Sequence, residues 1–421
     1  MTGKTQPATP LASTTSSRWS TEAISAGLLL IRSALFLTGL PQWVQSDHQL
    51  SSPLTNYTRL KEGVWLLNHN LNPYAGRLVR HSPLTLAIFS TIIPLNPTAS
   101  ALFWSSCDAV SVICLIRIWR MRKQVSDARQ ELLIAVTFLL HPYTALPTFA
   151  LSTSTIDNTL HLLSLYFTMA GKHQLGLFVL AFLTCSSLPS ILLAPALILL
   201  ALRGPTTSLS RKSVPPINWR QAGVYGGQFI AYLGLLIAAS SVVAGGFSWV
   251  RSTWGAVLLL PDLTPNPGLW WYFFTEMFDH FRPFFLMVFT AHLVIYVAPI
   301  TFKLEYDPFF AIWILQGIIA MLKSYPTLSD PGLFTAMYTL FPELVPHLSH
   351  PLPTVMLHIH SALLLPMFHH LWMGEGTGNA NFFYASTLVF GLANAAAIVD
   401  GLRAGLKLGF GEREGYELVQ S

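Results

Sequence analysis

The run from Ala99 to Trp119 is apolar for long enough to cross the ~30 Å hydrocarbon core of a bilayer as a helix, and a basic cluster of Arg117, Arg120, Arg122, Lys123 and Arg129 closes it. Such a segment has few options. In lipid every backbone N–H and C=O must be satisfied within the segment, which dictates a helix, and the cationic flank marks its cytosolic end. Further apolar runs, some of them shorter, recur at Ala23 to Leu40, Leu132 to Leu151, Leu160 to Ala170, Gln221 to Gly246, Phe284 to Phe302, Phe309 to Leu322, Leu333 to Leu344, Thr354 to Met373 and Asn381 to Val399, and are read as successive segments passing up and down. Only 10% of the 421 residues are charged and 52% are hydrophobic, against an ordinary charged share of about 25%. So few charges cannot cover a soluble surface. The sequence predicts an all-α, multi-pass transmembrane protein. Its net charge of +5 lies near segment ends, so it reads as topology and not as nucleic-acid binding.

Two apolar stretches do not fit a simple crossing. Pro83 to Ile93 is too short and reads as a re-entrant or interfacial helix. Leu175 to Leu202 carries Pro189 and Pro195, which divide it into two half-helices that turn back. Residues 1–20, rich in Ser, Thr and Pro, are expected to be a disordered cytosolic tail, residues 21–402 the membrane domain, and residues 403–421 a cytosolic C-terminal tail. With the Arg117–Arg129 and Arg203–Arg220 loops cytosolic, the loops carrying Asn56, Asp262 and Gly374–Ala380 share the luminal face. There Asn56-Tyr57-Thr58 is a glycosylation acceptor. Cys107, Cys114 and Cys185 lie in apolar runs without paired spacing and read as buried hydrophobes.

The stretch from Pro261 to Phe285 gathers most of the candidate site. Pro261, Pro265 and Pro267 deny the backbone a helix, Gly268 releases the turn, and nine of the sixteen residues from Trp270 to Phe285 are aromatic. Aromatic residues suit the membrane–water boundary. Irregular backbone at membrane depth survives where protein covers it or where it lines a cavity, so Asp262, Thr264 and Asn266 can turn inward while Trp270, Trp271 and Phe274 form an apolar wall. A second polar loop, Gly374-Glu375-Gly376-Thr377-Gly378, leads into Asn379 and Asn381 and then Phe382 and Phe383. Amides can bind sugar hydroxyls or phosphate oxygens without burying a charge, although Asn379 also suits a helix cap. Asp157 and Asn158 read as a cap. Glu276, Asp279 and His280 fall at helical spacing, read as the wet face of an interfacial helix, and six histidines between His347 and His370 fit no metal-binding pattern. No metal or cofactor motif is evident.

The string PDLTPN-x-GL-x-WYFF-x-EMF-x-HF, with HPYT and STIDNTL (His141 to Leu160), KSYPT (Lys323 to Thr327) and NANFFYASTL (Asn379 to Leu388), closely resembles the U-subunit family of the glycosylphosphatidylinositol (GPI) transamidase. The resemblance covers most of residues 20–402. It implies a non-catalytic subunit in the endoplasmic reticulum membrane that recognises the GPI lipid or the C-terminal attachment signal. It also implies partners: a caspase-like K subunit that supplies the catalytic cysteine, the T and S subunits, and an attachment subunit with a peptidase-like domain. Asn72-Pro73-Tyr74 and Arg80-His81-Ser82-Pro83-Leu84 resemble a loop of the GT-C mannosyltransferases of the endoplasmic reticulum, which use dolichyl-phosphate-mannose and place paired acids early in that loop. Ser51 and Ser52 stand at the matching place, and a serine pair can neither hold a divalent cation nor take a proton from a sugar hydroxyl at neutral pH. The mannosyltransferase alternative therefore lacks its chemistry.

Overall fold

A computed structural model describes the backbone of residues 14–207, 209 and 216–411, with side chains from residue 22 onward. Among the described residues all regular structure is helical. Helix α1 (Thr14–Leu35) starts inside the stretch expected to be a tail, while residues 1–13 lie outside the described residues. A short α2 (Leu40–Val44) leads to α3 (Tyr57–Asn68), α4 (Pro83–Thr91) and the long α5 (Pro97–Lys123). At nine residues, α4 is too short to cross, as its sequence predicts.

The apolar run expected from Leu132 to Leu151 is two helices, α6 (Ala128–Leu140) and α7 (Pro142–Phe149), bent by 50° at the break before Pro142. Proline removes a hydrogen bond from the ladder and frees carbonyls one turn earlier. Arg32 of α1 reaches carbonyls on both sides of this break, donating to Leu139 O at 3.0 Å and Thr144 O at 2.8 Å, while its Nε sits 2.9 Å from the buried Asp108 of α5. The bend, α1 and α5 are thereby pinned together.

Helices α8 (Ser154–Met169), α9 (His173–Ser186) and α10 (Ala194–Arg203) follow, with a 3₁₀ turn at Leu188–Leu193 separating the two half-helices that Pro189 and Pro195 predict. Asn158 does not cap α8; its Nδ2 donates to Ser329 O at 2.9 Å, a tertiary link. Helix α11 (Trp219–Ala244) is long, and of the expected basic loop before it, Arg211 and Lys212 lie outside the described residues. The short α12 (Ser248–Ser252), α13 (Trp254–Leu259) and α14 (Trp270–Glu276) precede α15 (Arg282–Val294) and α16 (Val297–Lys303), which together make one membrane-length unit.

The core is α17 (Pro308–Leu322), buried on every side. At 1.5 Å per residue its fifteen residues span ~22 Å, less than a hydrocarbon core. It does not need full length, because protein surrounds it. The same reason corrects the expected span at Leu333 to Leu344: α18 (Ser329–Met337) is a nine-residue buried helix, followed by two 3₁₀ turns through His347. The chain closes with α19 (Pro351–His369) and the thirty-one-residue α20 (Ala380–Phe410), which pack along each other.

Five helical units among the described residues are long and apolar enough to cross a membrane, or six if the bent α6–α7 pair counts as one span. The chain is a multi-pass membrane protein. All three cysteines are buried and free. At the N-terminal end of α17, Asp307 meets Arg122, and nearby Lys123 pairs with Glu343 and Arg203 with Glu305. The basic loops therefore share one end of the bundle, and the Asn56, Asp262 and Gly374 loops gather at the other.

Candidate functional site

The Asp262 loop is held in shape by its own polar groups. Asp262 Oδ2 accepts from Arg59 Nη2 of α3 at 3.0 Å, and Thr264 donates through both its N–H (3.2 Å) and its hydroxyl to Oδ1. Tyr325, just past α17, donates to the Asp262 carbonyl at 2.8 Å and accepts from its N–H at 3.1 Å. Burial pushes the Asp262 carboxyl upward, but the Thr264 hydroxyl and the Arg59 guanidinium together hold it below the usual carboxylate range. It is therefore an anion matched to one cation.

Asn266 turns fully inward. Its side chain is fully buried, donates to Thr264 O at 3.0 Å and accepts from Gly268 N–H at 2.8 Å. Both amide atoms are used in folding the loop. Gly268 is required for close approach, since a Cβ there would lie 2.5 Å from the Pro326 ring.

The aromatic residues divide between core and surface. Trp270, Trp271 and Phe274 are buried, so they form the inner packing of α14 and not a lipid-facing wall. Trp270 Nε1 donates to Leu322 O at 2.8 Å, which fixes α14 on the end of α17. Trp271 stacks on Trp372 at 5.9 Å and lies 5.7 Å from the Phe383 ring. Glu276 is the last residue of α14, and Asp279 and His280 sit in the turn beyond it, so the three share no helical face. Among the described residues no group of three or more His, Cys, Asp or Glu is placed to hold a metal ion.

The second loop meets the first across α14. Tyr272 Oη donates to Asn381 Oδ1, and Tyr384 Oη donates to Leu269 O at 3.1 Å. Asn379 caps α20, its Oδ1 accepting from Phe382 N at 3.2 Å. Gly376, with φ of +67°, turns the loop in a conformation that favours glycine. Phe383 is buried, whereas Phe382 is 55% exposed and stacks on Phe368 at 5.7 Å. The structure thus brings Asp262 and Thr264 to one side of α14 and Asn381 and Phe382 to the other.

Sequence reasoning missed Arg59, Tyr325, Tyr272 and Trp372. Tyr325 stands in KSYPT, where the signal was present, but its contact with Asp262 bridges sixty-three positions and has no local signature.

A model of the family described as "GPI transamidase subunit PIG-U" matches residues 26–390. The chain belongs to the PIG-U family. Human GPI-anchor transamidase component PIGU is 32% identical to this PIG-U chain over 401 residues, covering 90% of it and 91% of the human protein. GPI transamidase component GAB1 of Saccharomyces cerevisiae is 30% identical over 381 residues, covering 90% and 92%. The corresponding GAB1 homologue of Schizosaccharomyces pombe is 31% identical over 373 residues. The PIG-U match includes both loops that flank α14.

Proposed function

We propose that this chain is a non-catalytic membrane subunit of a GPI transamidase in the endoplasmic reticulum, and that it holds the GPI lipid where the Asp262 loop and the start of α20 meet. Membership of the PIG-U family supports the subunit role, with a caspase-like K subunit, T and S subunits and a peptidase-like attachment subunit as partners. The observation that carries the site is the Tyr272–Asn381 hydrogen bond beside exposed Phe382. It fixes polar atoms next to a half-exposed ring that stacks on Phe368 of α19, and both α19 and the α15–α16 unit are sparsely buried with apolar outer faces. An acyl chain can lie along those faces while the polar head reaches Asn381, Asp262 and Thr264. The buried Asn266, Trp270, Trp271, Phe274 and Phe383, and the capping Asn379, support that surface from behind.

The test is to purify the complex with Asn381→Ala or Phe382→Ser, confirm that all subunits co-elute, and measure anchoring of a reporter protein. Both variants should assemble and anchor less. Assembly and anchoring equal to wild type would remove this surface from the mechanism. If photo-crosslinking from position 382 captures the hydrophobic attachment signal and not the lipid, the same surface serves the peptide substrate.

A further inference from the structure

The end of the bundle that carries the Asp262 loop also holds a cavity of about 350 Å³ that opens to the surface, apart from the Tyr272–Asn381 contact. It lies between Gln42 of α2 and Gln45 just past it, the chain leading into α3 and its first turn, and Thr264. Its volume falls in the lower part of the ~300–1,000 Å³ found for small-molecule sites. Of the eleven residues that border it, Pro53 alone is apolar. That is a sharp departure in a chain that is 52% hydrophobic.

The chemistry of the wall is selective. No carboxylate borders the cavity, so a cationic ligand finds no counter-charge. The one formal charge is Arg59, and its Nη2 is already matched to Asp262 at 3.0 Å. An anion would therefore compete with a resident carboxylate for a single guanidinium. An apolar ligand would strand amides and hydroxyls without partners. What remains is a ligand that offers donors and acceptors together and carries no charge. Gln45, Ser46 and Thr58 present both kinds of atom, while the Gln42 amide nitrogen donates to Gly39 O at 3.1 Å and leaves its oxygen as an acceptor. His48 adds the edge of an imidazole to the wall, its Nδ1 being buried and without a protein partner. Burial lowers its pKa, against the pull of Asp47 and Asp262, so the ring is neutral at neutral pH.

The wall is also shaped in advance. Asn56 Oδ1 accepts from the N–H groups of Thr58 and Arg59 and its Nδ2 donates to Ser51 Oγ, while Ser52 and Thr55 bond each other. These contacts fix the backbone of the loop and leave the side chains of Gln45, Ser46 and Thr58 with no described protein partner across the cavity. We propose that this cavity binds one uncharged, hexose-sized sugar unit of a glycolipid headgroup. The source of that sugar rests on the GPI reading above, whereas the polyol chemistry rests on the cavity alone.

Saturation-transfer NMR on the intact transamidase complex tests it, with methyl α-D-mannopyranoside and myo-inositol as neutral probes and phosphoethanolamine as the charged one. Transfer to a neutral polyol is expected, with little or none to phosphoethanolamine. Thr58→Trp, at the exposed rim, should fill the cavity and abolish transfer while the subunits still co-elute. Gln45→Ala should weaken binding by about tenfold, the size of a 1.4 kcal/mol loss. Absence of transfer in the wild type, transfer that Thr58→Trp leaves unchanged, or a preference for phosphoethanolamine would each overturn the proposal. Its failure is separable from that of the lipid site. Lost polyol binding with anchoring still sensitive to Asn381→Ala removes the cavity alone, and retained polyol binding with insensitive anchoring removes the lipid site alone.

Discussion

Arg122 Nη1 lies 2.8 Å from Asp307 Oδ2, and neither side chain has any solvent exposure. The same guanidinium donates to Glu343 at 3.0 Å and stands 4.5 Å from the centre of the Phe341 ring. Asp307 in turn caps α17 by accepting from Phe310 N at 3.0 Å. Removing one partner of a buried pair leaves an uncompensated charge, at a typical cost of about 3–5 kcal/mol. Arg122→Met should therefore lower the unfolding midpoint in detergent sharply. Adding Asp307→Asn, which keeps the cap, should recover part of the loss. Equal stability of Arg122→Met and wild type would show that the pair does not hold α5 to α17.

His81 provides a pH signature. It lies in the loop before α4, is buried, and burial holds its imidazole down to about 3, with Arg59 adding to the effect. The unfolded imidazole titrates near 6.5. Between those values the unfolded state binds more protons than the folded one, so this contribution is full above about pH 6.5 and falls as pH drops towards 3. Thermal unfolding of wild type and His81→Gln between pH 7 and 4.5 reads it directly. The substitution should flatten the decline, and parallel curves would exclude His81 as its source.

Three glycines on α20, Gly401, Gly405 and Gly409, face bulky rings. A Cβ at Gly405 would collide with the Phe310 ring, and one at Gly409 would lie 2.5 Å from Tyr306 Oη. Small residues four apart let two helix backbones approach closely in a membrane. Because Phe310 is fully buried it has nowhere to move. Gly405→Val should destabilise the fold by about 1–3 kcal/mol, the range of overpacked cores, and shorten the protein's lifetime in detergent. Wild-type stability would mean that α20 can shift away from α17.

Asn56 should carry no glycan in the mature protein. Its Oδ1 caps α3 and its Nδ2 bonds Ser51, so a sugar on that nitrogen would crowd the polar cavity and disturb the cap. Endoglycosidase treatment should leave electrophoretic mobility unchanged, and a shift to faster migration would refute this. Asn56→Ala should cost about 1 kcal/mol of stability, the usual loss of an N-cap.

Much of the fold was legible because lipid imposes simple rules on apolar length, prolines and basic flanks. The half-helices around Pro189 and the long α5 and α20 follow from those rules. What stayed hidden depended on protein covering protein. Nothing in Phe309 to Leu322 distinguishes a helix buried on all sides from one facing lipid, since both are uniformly apolar. The break before Pro142 went unrecognised because the run around it remains hydrophobic, and Arg32 and Asp108 attracted no attention because each stands alone in its own segment. The candidate site shows the same division. Aromatic density around Trp270 drew attention to the stretch between the two loops, yet it does not tell the buried rings of α14 (Trp270, Trp271, Phe274) from the exposed ones beyond it (Phe278, Phe281, Phe284), and only the partners Leu322, Trp372 and Phe383 decide which is which.

Helix α17 has a consequence for how the chain is made. Two of its covering elements, α18 and α20, lie after it in the sequence, so they leave the ribosome later. Until they arrive, a short apolar rod is covered only by earlier elements such as α10 and α16, with Asp307 at its start already within reach of Arg122, and its remaining sides wait in the membrane. A chain interrupted before α20 would remain in that state permanently, with Phe310 and Trp313 uncovered on the side that Gly401 and Gly405 close in the finished protein. Completion of the last helix is thus the step that turns a set of inserted segments into a folded subunit, and truncations in this region should be cleared by quality control even though the earlier helices are intact.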